Sequence, residues 1–196
     1  IFSGLLPNQI QKMFPEYWVD EDEEEGKNIY EEDLLRTQIE RFRKKYTFSY
    51  HKINDSVSGE ELNSDLKRLL DNQLNVVVFN FVDMLSHART DSKMIRELAA
   101  TEAAYRSLTK SWFQHSSIVE FFQLLAKNKV KVLLTTDHGT IKVNNAIRVV
   151  GDRNTNTNLR YKVGKNLNYN PKEVFEVKRP EKIGLPLLNV SSTYIF

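Results

Sequence analysis

The chain has 196 residues, with 40% hydrophobic, 28% charged and 11% aromatic side chains and a net charge of +2, which suits a soluble globular chain and excludes wholesale disorder and collagen-like or coiled-coil architectures. It contains no cysteine, so disulfides and thiolate metal sites are excluded. The longest apolar runs, such as Val76 to Phe79, fall far short of the roughly 20 residues that a membrane span needs. With no signal peptide visible, these features point to a cytoplasmic protein without a membrane partner. The chain starts at Ile1 with no initiator Met, as a piece of a longer protein would.

In chain order, Pro7 to Phe14 reads as a short helix ended by Pro15. Glu16 to Glu25 follows with seven acids and no base, the composition of a solvated loop. Asn28 is the candidate N-cap of the next helix. Glu31, Glu32 and Asp33 would sit in its first turn, where acids suit the helix dipole, and Leu34, Leu35, Ile39 and Phe42 recur at helical spacing. Tyr46 to Ile53 alternates apolar and polar residues and reads as a strand. Ser58 and Glu61 form a capping-box pair, predicting a helix to about Asn72 with Leu62, Leu66, Leu69 and Leu70 as its buried stripe.

Asn75 to Val82 is a near-continuous β-branched and aromatic run, the signature of a strand buried on both faces. Helical stretches are expected over Ser92 to Lys110 and Ser116 to Asn128. Val130 to Thr135 reads as a second buried strand, and Ile141 to Val150, Val174 to Lys178 and Ser191 to Phe196 as further strands. The Asn-, Thr- and Gly-rich stretch from Asp152 to Asn170 reads as a loop or flap. Strands alternating with helices predict an α/β fold with a mostly parallel sheet, and the absence of repeats or linkers predicts one domain.

Two motifs fall at predicted strand ends, where open α/β sheets bind ligands. Asp83-Met-Leu-Ser-His87 follows the first buried strand, and its i, i+4 spacing turns both side chains to one side of a helical turn. Asp137-His138-Gly139 follows the second. Adjacent ligands converge only on a bent turn, for which Gly139 would supply backbone freedom. Carboxylate and imidazole are both zinc ligands, so Asp83, His87, Asp137 and His138 are the candidate metal site. The competing reading makes the two acids caps and the two histidines surface residues. His51 and His115 read as ordinary polar residues. Thr90, Thr135 and Thr136 carry hydroxyls near the motifs, but strand-end position alone accounts for the latter two. The stretch from Ile141 to Lys182 holds ten Lys or Arg against four acids, a positive rim able to steer an anionic substrate.

The motifs VDMLSHAR and TTDHGT resemble the metal-binding motifs of the alkaline phosphatase superfamily. IFSGLLP, WVDEDEEEGKN and DHGTIKVNNAIRVVGDRNTNTNLRYKVGKNL resemble the PglZ domain of PorX-like response regulators, which are linked to type IX secretion. The resemblance implies a three-layer α/β/α sandwich of alkaline phosphatase-like type, with residues 1–196 as the central part of the domain, incomplete at both chain ends. It implies two zinc ions (Zn2+), one on Asp83 and His87 and the other on Asp137 and His138. The implied activity is zinc-dependent phosphodiesterase chemistry on nucleotides or oligonucleotides. Arg148, Arg153, Arg160, Lys162 and Lys165 are candidates to meet the phosphates. The family's nucleophilic Thr and a companion Asp are expected before Ile1 and its last His after Phe196, so this stretch alone is expected to be inactive. The resemblance also implies a sensor kinase and sigma-factor or secretion-system regulators as partners, and a homodimer is compatible with it. Two other readings stay open: a catalytically silent regulatory or protein-interaction module, and a nucleic-acid binder using residues 141–182.

Overall fold

The computed structural model describes residues 1–19, 28–139, 143, 145–153, 155–156, 160–188 and 192–196, with Thr90 described by its backbone alone. Its elements in chain order are α1 (Pro7–Met13), α2 (Glu31–Arg41), β1 (Phe48–Ile53), α3 (Ser56–Ser64), α4 (Leu66–Leu70) and β2 (Leu74–Phe79). Then follow α5 (Phe81–Asp91), α6 (Lys93–Leu98), α7 (Glu102–His115), α8 (Ser117–Lys127), β3 (Lys162–Gly164), β4 (Glu176–Val177) and β5 (Thr193–Ile195). The fold is mixed α/β and divides into two compact units: Lys45–Thr135 forms one, and Ile1–Lys44 with Thr136–Phe196 the other.

In the continuous unit, β1 and β2 pair in parallel, with Phe48 opposite Leu74 and Ile53 opposite Phe79. The connection runs through α3 and α4, as a parallel pair requires a crossover. Ile53, Leu62, Leu69, Phe121 and Leu125 form a buried core, with Val77, Phe79 and Val130 packed against it. Helices α3 and α8 approach closely at Gly59, where a Cβ would come within 2.0 Å of the Ser117 hydroxyl. A second cluster, Leu85, Ala99 and Tyr105 with Phe81, Ile95 and Leu108, joins α5, α6 and α7.

In the discontinuous unit, β3, β5 and β4 form an antiparallel sheet in that order. Register sets Val163, Tyr194 and Val177 side by side, and these three are its buried core. The two chain ends meet where the Asn8 amide N–H donates to the Gly184 carbonyl at 3.0 Å and its side chain to the Glu181 carbonyl at 3.3 Å.

Several expectations need correction. Helix α2 starts at Glu31 with Tyr30 at its N-cap, so Asn28 does not cap it. The helix expected from Ser58 starts at Ser56, because the Asp55 carboxylate accepts from the Ser58 N–H at 2.8 Å and is the true cap. It then breaks at Asp65, leaving Leu69 buried and Leu70 42% exposed. The helix expected over Ser92 to Lys110 is two helices, because the Thr101 hydroxyl accepts from Ala104 N–H and starts α7 afresh. The strand expected over Val130 to Thr135 joins no sheet among the described residues, with Leu133 90% and Leu134 75% exposed. β propensity measures fit to a half-buried pleated surface, and no described strand offers this run a neighbour. Of the strand expected over Ile141 to Val150, the described part makes only an isolated bridge between Val150 and Asn168. Parallel pairing among the described strands is confined to β1 and β2. Most of the acidic run, from residue 20 on, lies outside the described residues.

Candidate functional site

Asp83 and His87 stand on α5, which begins directly after β2. The strand-to-helix junction places Asp83 in the first turn, where backbone N–H groups and the helix dipole favour a carboxylate. Leu85, about 200° around the helix from Asp83, is buried in the α5–α6–α7 cluster, and Tyr105 donates from its hydroxyl to the Val82 carbonyl at 3.1 Å. That anchoring turns the Asp83 and His87 side chains outward, with Asp83 Oδ2 and His87 Nε2 3.5 Å apart.

Asp137 and His138 lie in an irregular stretch after Thr135. Thr136 donates from its hydroxyl to the His138 carbonyl at 2.8 Å, closing the turn. The Asp137 carboxylate accepts from the His138 backbone N–H through Oδ1 at 3.0 Å, leaving Oδ2 3.8 Å from His138 Nε2. His138 Nδ1 faces the Gly139 carbonyl at 3.1 Å. A carbonyl cannot donate, so Nδ1 is the donor in this contact, and the ring's other nitrogen, Nε2, is the one turned toward Asp137. This is the arrangement that orients a metal-binding imidazole through its other nitrogen. Gly139 contributes less than its neighbours suggested. Its φ is not positive and nothing lies within 4 Å of where a Cβ would be, so the bend is held by side chains rather than by glycine freedom.

Both pairs fit zinc as partial ligand sets. Oxygen and nitrogen ligands at about 2.0–2.2 Å in a tetrahedron stand about 3.3–3.6 Å apart. The first pair matches that spacing and the second nearly does. Asp83 and His87 belong to the continuous unit, Asp137 and His138 to the discontinuous one. Within neither unit does a third described His, Asp or Glu join its pair as a metal-holding group.

Of the predicted phosphate-binding cations, Arg148, Arg153, Arg160 and Lys165 are exposed. Lys162 is half-buried on β3 and donates from Nζ to the Asn156 carbonyl at 3.0 Å. Asn156 also accepts from the Val163 N–H at 2.9 Å, so the ammonium helps to hold the preceding loop against the sheet.

The carboxyl ends of β1 and β2 open on a cleft lined by Asn54, Phe81 and Trp112 but by neither Asp83 nor His87. Sequence patterning does not single out Trp112. It sits mid-helix in α7, 31 residues after the Phe81 ring on which it stacks, and only the fold makes them neighbours.

A family model described as the BREX system PglZ alkaline phosphatase-like domain matches residues 1–195. No curated protein matches the chain.

Proposed function

Because the chain belongs to the PglZ family of alkaline phosphatase-like domains, we propose that it acts as a zinc-dependent phosphodiesterase on nucleotides or oligonucleotides. At the family level the chemistry is phosphoester hydrolysis. The finer reading rests above all on one observation, the contact of His138 Nδ1 with the Gly139 carbonyl that orients the ring beside Asp137 Oδ2. In this reading Asp83 and His87 hold one zinc ion, and Asp137 and His138 hold the other. Bound zinc supplies Lewis acidity toward a phosphoryl oxygen. The chain's own residues hold the ligand atoms in place: Thr136 closes the turn under His138, and the buried Leu85 fixes the face of α5 that carries Asp83. Arg148, Arg153, Arg160 and Lys165 attract and orient the phosphates, with Lys162 firming the loop between them. The three-layer α/β/α sandwich and a cytoplasmic response regulator of type IX secretion, answering to a sensor kinase, are the architecture and setting of this proposal.

The experiment is metal analysis joined to turnover in the full-length protein. Close to two zinc ions per chain are expected, and the double variant Asp137→Ala, His138→Ala should lose hydrolysis of a chromogenic phosphodiester. Undiminished turnover by that variant, or protein free of zinc that still turns over, would reject the reading. A second reading is a catalytically silent regulatory module. It is favoured by the lack of a third ligand for either pair within its own unit among the described residues. It predicts bound zinc with no turnover of any phosphodiester.

A further inference from the structure

The cleft beyond β1 and β2 has a volume of about 540 Å³, within the range of small-molecule sites. One wall is aromatic: the Phe81 and Trp112 rings stack with centroids 4.2 Å apart and planes 1° from parallel. Its charge is one-sided. Asp55, Glu60 and Glu120 line it together with His115, and no Lys or Arg does. Asp55 is committed to capping α3 through Ser58. Glu60 and Glu120 are exposed at the rim, and Glu120 accepts through Oε2 from the Asn63 side-chain amide at 3.2 Å.

These features select the ligand by elimination. Phosphate would meet three carboxylates and no compensating cation, at a repulsion of about 1 kcal/mol per pair even in water. A neutral apolar guest would use the aromatic wall but leave the rim carboxylates without a counter-charge. An organic cation answers both walls at once, since a guanidinium or ammonium lies favourably on an aromatic face and pairs with carboxylates.

We propose that this cleft binds an organic cation, a guanidinium or alkylammonium group, held against the Trp112–Phe81 stack and paired with Glu60 and Glu120. The inference is independent of zinc and of phosphodiester turnover. The group belongs either to a free small molecule or to a basic side chain of a peptide, and the test separates these sources.

Calorimetric titration of the full-length protein uses agmatine, an end-blocked pentapeptide with one arginine, and methylurea as the neutral analogue in shape. Saturable binding of agmatine is expected for a small-molecule site, and of the peptide alone for a peptide site; methylurea should not bind. Glu60→Gln with Glu120→Gln should weaken the cation about tenfold, the scale of losing exposed pairing at two carboxylates. In a full-length background in which every tryptophan but Trp112 is replaced by Phe, the cation source that binds should quench the emission of Trp112, a readout that needs no change in the cleft. The proposal is overturned by absent binding of both cation sources, by methylurea binding as tightly, by unaltered affinity in the double variant, or by Trp112 emission that saturating ligand leaves unchanged.

Discussion

At the scale of single residues, Tyr169 and Glu176 are electrostatically coupled. The phenol donates a short hydrogen bond to Glu176 Oε1, and Lys178 stands 3.2 Å from the other carboxylate oxygen. The carboxylate beside it pushes the Tyr169 phenol up from 10.0 to about 12. The phenol's hydrogen bond, then Lys178, holds the Glu176 carboxyl below its ordinary value. The folded state therefore favours charged Glu176 and neutral Tyr169. The first contribution is present above the ordinary carboxyl value of 4.5 and is lost as pH falls through the lower folded value. The second is present below pH 10 and is lost as pH rises through about 12. Tyr169→Phe should flatten both limbs. Absorbance titration of tyrosinate should show a phenol ionising near pH 12 in the parent that is lost in the variant. The candidate ligands depend on equally local bonds. The i, i+4 spacing of Asp83 and His87 was enough to read their convergence from sequence. The convergence of Asp137 and His138 was read for the wrong reason, because it depends on Thr136 and a backbone N–H rather than on Gly139.

At the scale of elements, α3 and α8 meet through Gly59, and the contact has no room for a branched side chain. Gly59→Val should lower stability by about 1–3 kcal/mol, the cost of overpacking, seen as a lower urea midpoint with unchanged slope. The apolar run after α8 gives the opposite prediction. With Leu133 and Leu134 in solvent and no paired neighbour, amides of residues 131–134 should exchange with deuterium fast. Protection equal to that of β2 would show a paired strand there. This run marks the boundary of what sequence made legible. α1, α2, α8, β1 and β2 follow from periodicity within a few residues, and each is found within a few residues of its expected place. The break before α7 was hidden because a Thr at a helix start looks like any mid-helix Thr until its hydroxyl takes the Ala104 N–H. The fate of residues 130–135 was hidden because a strand is a property of two chains' edges, and only one of them is in the pattern. The aromatic cleft was hidden for the same reason, since Phe81 and Trp112 share no motif.

At the scale of the molecule, the two units differ in how the chain supplies them. Lys45–Thr135 closes on its own core from one continuous stretch, whereas the other unit is stitched from Ile1–Lys44 and Thr136–Phe196. A fragment of residues 45–135 should therefore show helical circular dichroism and a cooperative thermal transition. A fragment of residues 136–196 should show neither, having lost the Asn8 bonds to Glu181 and Gly184. A non-cooperative 45–135 fragment would refute the independence of its core.

That stitching also gives the protein a schedule while it is being made. The middle segment can complete its core soon after Thr135 leaves the ribosome. Residues 1–44 are made before that segment, yet the carbonyls of Glu181 and Gly184 that receive Asn8 come after it. At about 5–20 residues per second, synthesis from residue 136 to Gly184 holds them waiting for several seconds. Through that interval α1, with no Gly184 carbonyl to receive Asn8, is a segment of the nascent chain for a chaperone to shield.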